Sequence, residues 1–293
     1  MDRVNAELTY SIPAIVGEGC IWDAAKQRLL WVDILSQKIY SFNPQNGANT
    51  GYDIGQDVGT VVLTESDRWA YAGQDGIGFL NPENGEITEG AKPEKNHPEI
   101  RFNDGKCDPR GTFWAGTMAY DCTRGAGKLY EFDSKGNVKI KIDTTTISNG
   151  LAWSSDCKKF YFIDSLTYEI HQYDYDITTG DIQNKKIITT IEKEIGLPDG
   201  MTIDNDNHLW VALFGGGKVI RINPETGDTV FEVCVPVPKV TSCAFGGEHL
   251  DELYITTANY LMDEEALKEY PLSGSLFKAK LPFKGMLPYK MIF

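Results

Sequence analysis

Histidine is scarce in this chain of 293 residues: four occur (His97, His171, His208, His249), and no two stand at a helical or strand spacing. That argues against a histidine-rich zinc site and, since none sits in a nucleophile signature, against a serine or cysteine triad. Cysteine is thin as well, with six scattered residues (Cys20, Cys107, Cys122, Cys157, Cys234, Cys243) and no C-x-x-C. A chain of this size does not need disulfide staples, so these read as reduced, mostly buried thiols. Positive charge is also short, with 28 Lys and Arg against 42 Asp and Glu and a formal net charge of -14. Such a balance favours solubility and cation binding and works against nucleic acid or anionic membrane as a partner. The two lysine pairs, Lys158-Lys159 and Lys185-Lys186, read as solvated charge at turns rather than a basic patch. No run approaches the roughly 18 apolar residues that cross a bilayer. The opening MDRVNAELTY lacks the apolar centre of a signal peptide, so a cytoplasmic location is expected.

What the chain does contain is a repeat. The stretch Ser148 to Ser165 reads as a polar residue (Asn149), a glycine (Gly150), a short apolar run, a polar turn, and a second apolar run closing on Asp164. Two such runs, rich in aromatic and β-branched residues and split by turn formers, predict an antiparallel hairpin. The same template fits near Gly19, Gly59, Gly105, Gly150, Gly200 and, with serine for glycine, Ser242, at successive spacings of 40, 46, 45, 50 and 42 residues. A second pair of strand-like runs follows each template, from KIYSFNPQNG in the first unit to SLFKAKLPFKG in the sixth. Six units of about four strands predict an all-β, six-bladed β-propeller, one domain over residues 1–293, with each blade a four-stranded antiparallel sheet around a central channel. A β-sandwich would give no reason for the even spacing. Met118 to Gly127 and Asn259 to Pro271 break the period and are candidate lids; the second has room for a turn or two of helix. The tail from Leu281 has no repeat of its own and is expected to complete the sixth blade or pack under it.

The residue before each anchor glycine holds one structural position in every blade, and in a propeller those positions converge on the axis. They are Glu18, Val58, Asp104, Asn149, Asp199 and Thr241. Carboxylates and an amide aimed at one channel repel unless protonated or bridged by a cation, so a divalent metal in the channel is expected. Oxygen-only donors favour a hard ion. Residues next to glycine are also common turn formers, an explanation that serves for one unit and weakens for three or four in register.

The segments GEGCIWD, RFNDGKCDPRGTFWAGTM, ISNGLAWSSDCKKFYFIDS, LPDGMTID, LWVALFGGGKVIRINPETG and TSCAFGGEHLDELYIT closely resemble the senescence marker protein, regucalcin and gluconolactonase family. The likeness runs from about Gly17 to Tyr289. It implies a six-bladed propeller that hydrolyses sugar lactones with one divalent metal, calcium ahead of zinc, magnesium or manganese. It also implies Glu18, Asn149 and Asp199 as metal ligands, Asp199 as the acid/base, and Arg101, Asn103 and Asp121 as substrate contacts. Asp104 falls outside that set and is expected to brace its turn. Cys20 replaces the proline usual after GEG, the loop after Met118 is shorter than in the animal regucalcins, and Asp121 stands where glutamate is common.

Other motifs carry less. Phe214-GGGK-Val219 lacks Walker spacing and reads as a blade turn. Asp204-Asn205-Asp206-Asn207 lacks the glycine and distal glutamate of an EF-hand loop and reads as a hairpin turn. Trp22, Trp114, Trp153 and Trp210 stand at repeat positions and are expected to pack between blades. The resulting expectation is a gluconolactonase-like hydrolase whose partner is a small sugar lactone, as a monomer or weak homodimer. The rivals are a related propeller esterase or phosphotriesterase and a calcium-binding protein without turnover.

Overall fold

Strands that are buried along almost their whole length need neighbours on both faces, and six such strands organise this protein. In the computed structural model, which describes residues 2–292, they are Gly17–Asp23, Thr60–Leu63, Ile100–Cys107, Ser148–Trp153, Leu197–Ile203 and Val240–Gly246. Each begins a separate antiparallel sheet and is its innermost member. Each packs beside the next, and Val240–Gly246 returns to lie beside Gly17–Asp23, which closes a six-bladed ring. Outward along a blade the strands become solvated, down to fully exposed edges such as Ile87–Glu89. The propeller predicted from the spacing is therefore the fold.

The blades meet through aromatic rings. Trp22 stacks on Tyr254 across blades one and six at 5.3 Å, Trp114 meets Trp153 edge-on across blades three and four at 5.5 Å, and Trp210 meets Phe245 across blades five and six at 5.4 Å. Glycine permits the close approach at the axis. A Cβ on Gly59 would lie 2.2 Å from the Asn103 carbonyl oxygen, and one on Gly150 would lie 2.8 Å from the Asp199 carbonyl oxygen. No side chain other than hydrogen fits either gap.

The acid that ends the second strand has a defined task. Asp33 accepts hydrogen bonds from Ile15 N and Val16 N, both at 3.0 Å, and Asp164 accepts from Thr146 N and Ile147 N, both at 2.9 Å. Each carboxylate thus holds the segment leading into its own innermost strand, just before Glu18 in blade one and Asn149 in blade four.

Of the two places expected for the tail, completing the sixth blade is overturned and packing beneath the ring is found. The sixth blade takes its fourth strand from the N-terminus, where Glu7–Tyr10 runs antiparallel to Leu276–Lys280 with Glu7 opposite Lys278. Asp2–Asn5 then adds a fifth, parallel strand to blade five beside Thr229–Cys234. The tail does not complete the blade. Pro282 and Pro288 interrupt it, and proline has no N–H to give a ladder. It crosses the end of the ring opposite the lead-in segments, where Gly285 bridges Asp204, Met291 bridges Thr64, and Ile292 N donates to Gly111 O at 2.9 Å.

Both period-breaking insertions follow a second strand and so emerge at the lead-in face. In the later one, the exposed helix Glu264–Glu269 starts with the Asp263 carboxylate accepting from Ala266 N at 2.8 Å. Asp204 Oδ1 accepts from Asp206 N and His208 N within a hairpin turn, as read from the sequence, while its buried Oδ2 anchors Trp210 and Arg221. Lys185 and Lys186 lie within the exposed strand Ile182–Thr190, not at a turn. Cys20, Cys107 and Cys243 are buried, the other three cysteines are partly exposed, and all six are free thiols. No helix among the described residues is long and apolar enough to cross a membrane.

Candidate metal centre

Five of the six innermost strands lose register with their neighbour at the polar position marked by the repeat. The irregularity falls between Glu18 and Ile21, Phe102 and Gly105, Asn149 and Leu151, Pro198 and Met201, and Val240 and Ser242. A β-bulge turns a side chain off the ordinary alternation. Here it frees the residue beside the glycine from the blade-to-blade packing. In blade two the paired strand starts only at Thr60, and the equivalent residue is the buried, apolar Val58.

Blades one and five bring the Glu18 and Asp199 carboxyls into hydrogen-bonding contact, and both residues are buried. Burial, then the charge of Asp104, pushes the Glu18 carboxyl up to about 8, although Gly19 N donates to Glu18 Oε2 at 2.6 Å. Burial together with Glu18 and Asp104 holds the Asp199 carboxyl well above the usual range. Carboxyls this close in a desolvated site cannot all ionise, so without a cation the cluster retains protons.

Asp104 Oδ1 accepts from Gly105 N at 2.7 Å at the bulge inside the strand Ile100–Cys107, not in a turn as expected, while its buried Oδ2 has no hydrogen-bond partner among the described residues. Burial raises its carboxyl and the nearby Lys106 opposes that shift. Asp104, Lys106, Gly19 and Ser242 line a void of ≈ 10 Å³, enough for about one water molecule. Burial, then the charge of Glu18, pushes the Cys20 thiol up to about 12, which keeps it neutral and unsuited to nucleophilic attack.

Asn149 Nδ2 donates to Ser165 Oγ at 2.8 Å, and Asn149 Oδ1 accepts from Asn103 Nδ2 at 3.1 Å. This fixes the amide so that its oxygen keeps a second lone pair. Asn103 Nδ2 also donates to Ser148 O, and Asn103 Oδ1 accepts from Arg101 Nη1 at 2.8 Å. Arg101, Asn103 and Asn149 are therefore one connected set across blades three and four.

Two positions marked by the sequence lie apart from this arrangement. Thr241 donates to Gly17 O and shares a hydrogen bond with Thr256, so it ties blade six to blade one. Asp121 is exposed, and its carboxylate accepts from Thr123 N at 2.9 Å within a turn. The neighbouring residue of that loop instead stands over Arg101: the Tyr120 ring centre is 5.9 Å from the guanidinium carbon, and Tyr120 OH donates to Asp57 Oδ2 at 2.8 Å. A lone aromatic among small and polar residues is the one sequence signal that marks Tyr120.

A divalent ion is compatible with these donors. Among the described residues no three His, Cys, Asp or Glu side chains surround a common point, so the candidate set is two carboxylates and an amide oxygen. All are hard oxygen donors, and the repulsion between the buried Glu18 and Asp199 carboxylates is the kind a hard cation relieves. A separate apolar cavity of ≈ 60 Å³ lies at the opposite end, lined by Trp22, Trp153, Phe245 and the tail residues Met286 to Tyr289. It holds none of these carboxylates.

Residues 16–259 match the family described as the SMP-30/Gluconolactonase/LRE-like region, and the chain belongs to that family. Regucalcin of the rabbit Oryctolagus cuniculus is 42% identical over 297 residues, 99% of each chain. The Bacillus subtilis protein named "Putative sugar lactone lactonase YvrE" is 38% identical over 286 residues, covering 97% of this chain and 98% of its own. Among solved structures, a regucalcin of Agrobacterium tumefaciens, described as a calcium-binding protein, superposes with a TM-score of 0.95 at 25% identity, covering 100% of this chain and 99% of that one.

Proposed function

We propose that this protein hydrolyses a sugar lactone to its aldonic acid at the blade-one, blade-four and blade-five end of the channel, with one divalent ion, calcium first, held by Glu18, Asn149 and Asp199. The observation that carries this reading is the buried Glu18–Asp199 contact, a pair of acids that cannot both ionise without a cation. An ion bound there would act as a Lewis acid on the lactone carbonyl, offsetting several kcal/mol of developing oxyanion charge. Asp199, in its ionised form, accepts a proton from the attacking water as the new C–O bond forms. It returns that proton to the ring oxygen as the acyl C–O bond breaks. Arg101 donates to substrate hydroxyls; Asn103, whose two Nδ2 hydrogens go to Ser148 O and Asn149 Oδ1, holds the Asn149 oxygen in place and contacts substrate as an acceptor through the second lone pair of its Oδ1.

A net charge of -14 and the absence of a basic cluster suit a small neutral substrate rather than nucleic acid or membrane. The working picture is a cytoplasmic monomer or weak homodimer formed by one domain over residues 1–293. The calcium-binding description of the Agrobacterium regucalcin favours one alternative, an ion-binding protein without turnover. Acid release at constant pH from D-glucono-1,5-lactone, measured with chelated and calcium-reloaded protein, separates the two. Chelation should abolish turnover and reloading should restore it; calcium binding without acid release from any lactone would leave only the alternative.

A further inference from the structure

Arg101 is held on one side only. Its Nη1 donates to Phe102 O at 2.9 Å and to Asn103 Oδ1 at 2.8 Å, while Nε and Nη2 make no hydrogen bond among the described residues. Nε–H and the Nη2 group form one planar edge of a guanidinium, a fork matched to two oxygens about 2–3 Å apart. Such an edge is useful only if the plane cannot swing, and a long flexible side chain loses rotamer freedom when it is fixed.

The structure contains the means of fixing it. Arg101 pairs with Met118 across the innermost and second strands of blade three, so Tyr120, two residues past Met118, is its diagonal neighbour on the same face. Tyr120 N donates to Glu99 O at 3.0 Å, which anchors its backbone. Its ring then reaches over the guanidinium, and its hydroxyl is tied to Asp57 Oδ2, while Asp57 Oδ1 accepts from Gln37 Nε2 at 3.3 Å. The side chain is 41% exposed, so a brace running from Gln37 and Asp57 to Tyr120 and Arg101 stands at the mouth of the site.

We propose that Tyr120, tethered by Asp57, is the positioning residue that fixes the Arg101 plane, leaving its Nε–Nη2 edge to bind a vicinal pair of hydroxyls and so selecting hydroxylated over plain lactones. This rests on the lactonase reading for its substrate, but not for the brace itself. It also reassigns the loop's contribution: Tyr120 shapes recognition, and the neighbouring Asp121 serves the turn.

The test compares D-glucono-1,5-lactone, which carries vicinal hydroxyls, with δ-valerolactone, which carries none, using calcium-loaded wild type, Y120A, Y120F and R101K. Y120A should raise KM for gluconolactone about tenfold, the loss of one charge-assisted contact, with kcat within about twofold. Both constants for δ-valerolactone should stay unchanged. Y120F keeps the ring over the guanidinium but loses the tie to Asp57, so it should fall between wild type and Y120A, whereas Y120A added to R101K should cost nothing further. Equal losses on both lactones, or full additivity with R101K, would overturn the proposal. A second readout needs no turnover: nitrogen-15 relaxation of the Arg101 Nε–H bond should give a high order parameter in wild type, a lower one in Y120F and the lowest in Y120A. Should the wild type hydrolyse neither lactone, the lactonase reading falls, and the brace stands or falls on this signal; identical order parameters in all three proteins would sink it.

Discussion

Glu18 and Asp199 come from strands 181 positions apart, yet their carboxyls share a hydrogen-bonding contact inside the channel with Asp104 close enough to oppose both charges. An ion at this place would therefore compete with protons. Glu18 is raised from 4.5 to about 8 in the folded protein, and Asp199 is raised too. Between those limits the metal-free folded state binds more protons than the unfolded chain, so stability should fall as pH rises from about 4.5 to about 8. Saturating calcium should reverse or flatten that slope. Calorimetry at pH 7 in buffers of differing ionisation enthalpy should find about one proton or more released per ion bound; calcium binding with no proton release would contradict the arrangement.

The two roles given to Asp199 are separable. Asp199→Asn keeps an oxygen donor but cannot accept a proton, so at saturating metal it should lose about 10²-fold or more in kcat. Asn149→Ala removes only a donor, and its defect should shrink as metal concentration rises. The informative measurement is kcat against metal concentration for both variants. Rescue of Asp199→Asn to near wild-type turnover would make Asp199 a ligand alone.

Asp33 and Asp164 support the site from behind. Each accepts two backbone N–H groups of the segment that leads to a proposed ligand. Asp33→Ala or Asp164→Ala should each cost about 2–4 kcal/mol in urea unfolding, since two donors lose a charged acceptor. Metal affinity should fall as well, because Glu18 and Asn149 follow those segments directly. A variant with unchanged stability would mean that water replaces the carboxylate without loss.

Removing residues 1–10 takes the fourth strand from blade six and the fifth from blade five. The edge Leu276–Lys280 would be left unpaired, a template for association with other chains. The truncated protein should unfold at lower urea concentration, with a broader transition, and form higher oligomers on gel filtration. A monomer of unchanged midpoint would show that the closing strand contributes little.

The six-unit fold was legible because the blades repeat one local problem: an apolar inner hairpin in each, a glycine at the anchor position in five of the six, and an acid ending the second strand in blades one and four. The site was partly legible for the same reason. Glu18, Asn149 and Asp199 share a register position, and the bulges fall there. Thr241 shares it as well and binds backbone instead, since one register position admits both outcomes. The blade closure was not legible, because the pairing of Glu7–Tyr10 with Leu276–Lys280 is non-local and neither strand carries a signal naming its partner. Nor could spacing tell Tyr120 from Asp121. Adjacent residues at a strand end face opposite ways, and only the pairing of Arg101 with Met118 decides which one faces the channel.

The strand that closes the ring has a further consequence for how the protein is made. Glu7 pairs with Lys278, so the strand Glu7–Tyr10 is synthesised long before the edge on which it docks. At 5–20 residues per second, roughly 15–50 s of translation separate the two. During that interval five blades can collapse, and Asp2–Asn5 can dock on the fifth, while Glu7–Tyr10 has no docking edge. The seam of this ring is thus a late event in time, and until Leu276–Lys280 has been made the unpaired edge of blade six is open to a neighbouring nascent chain.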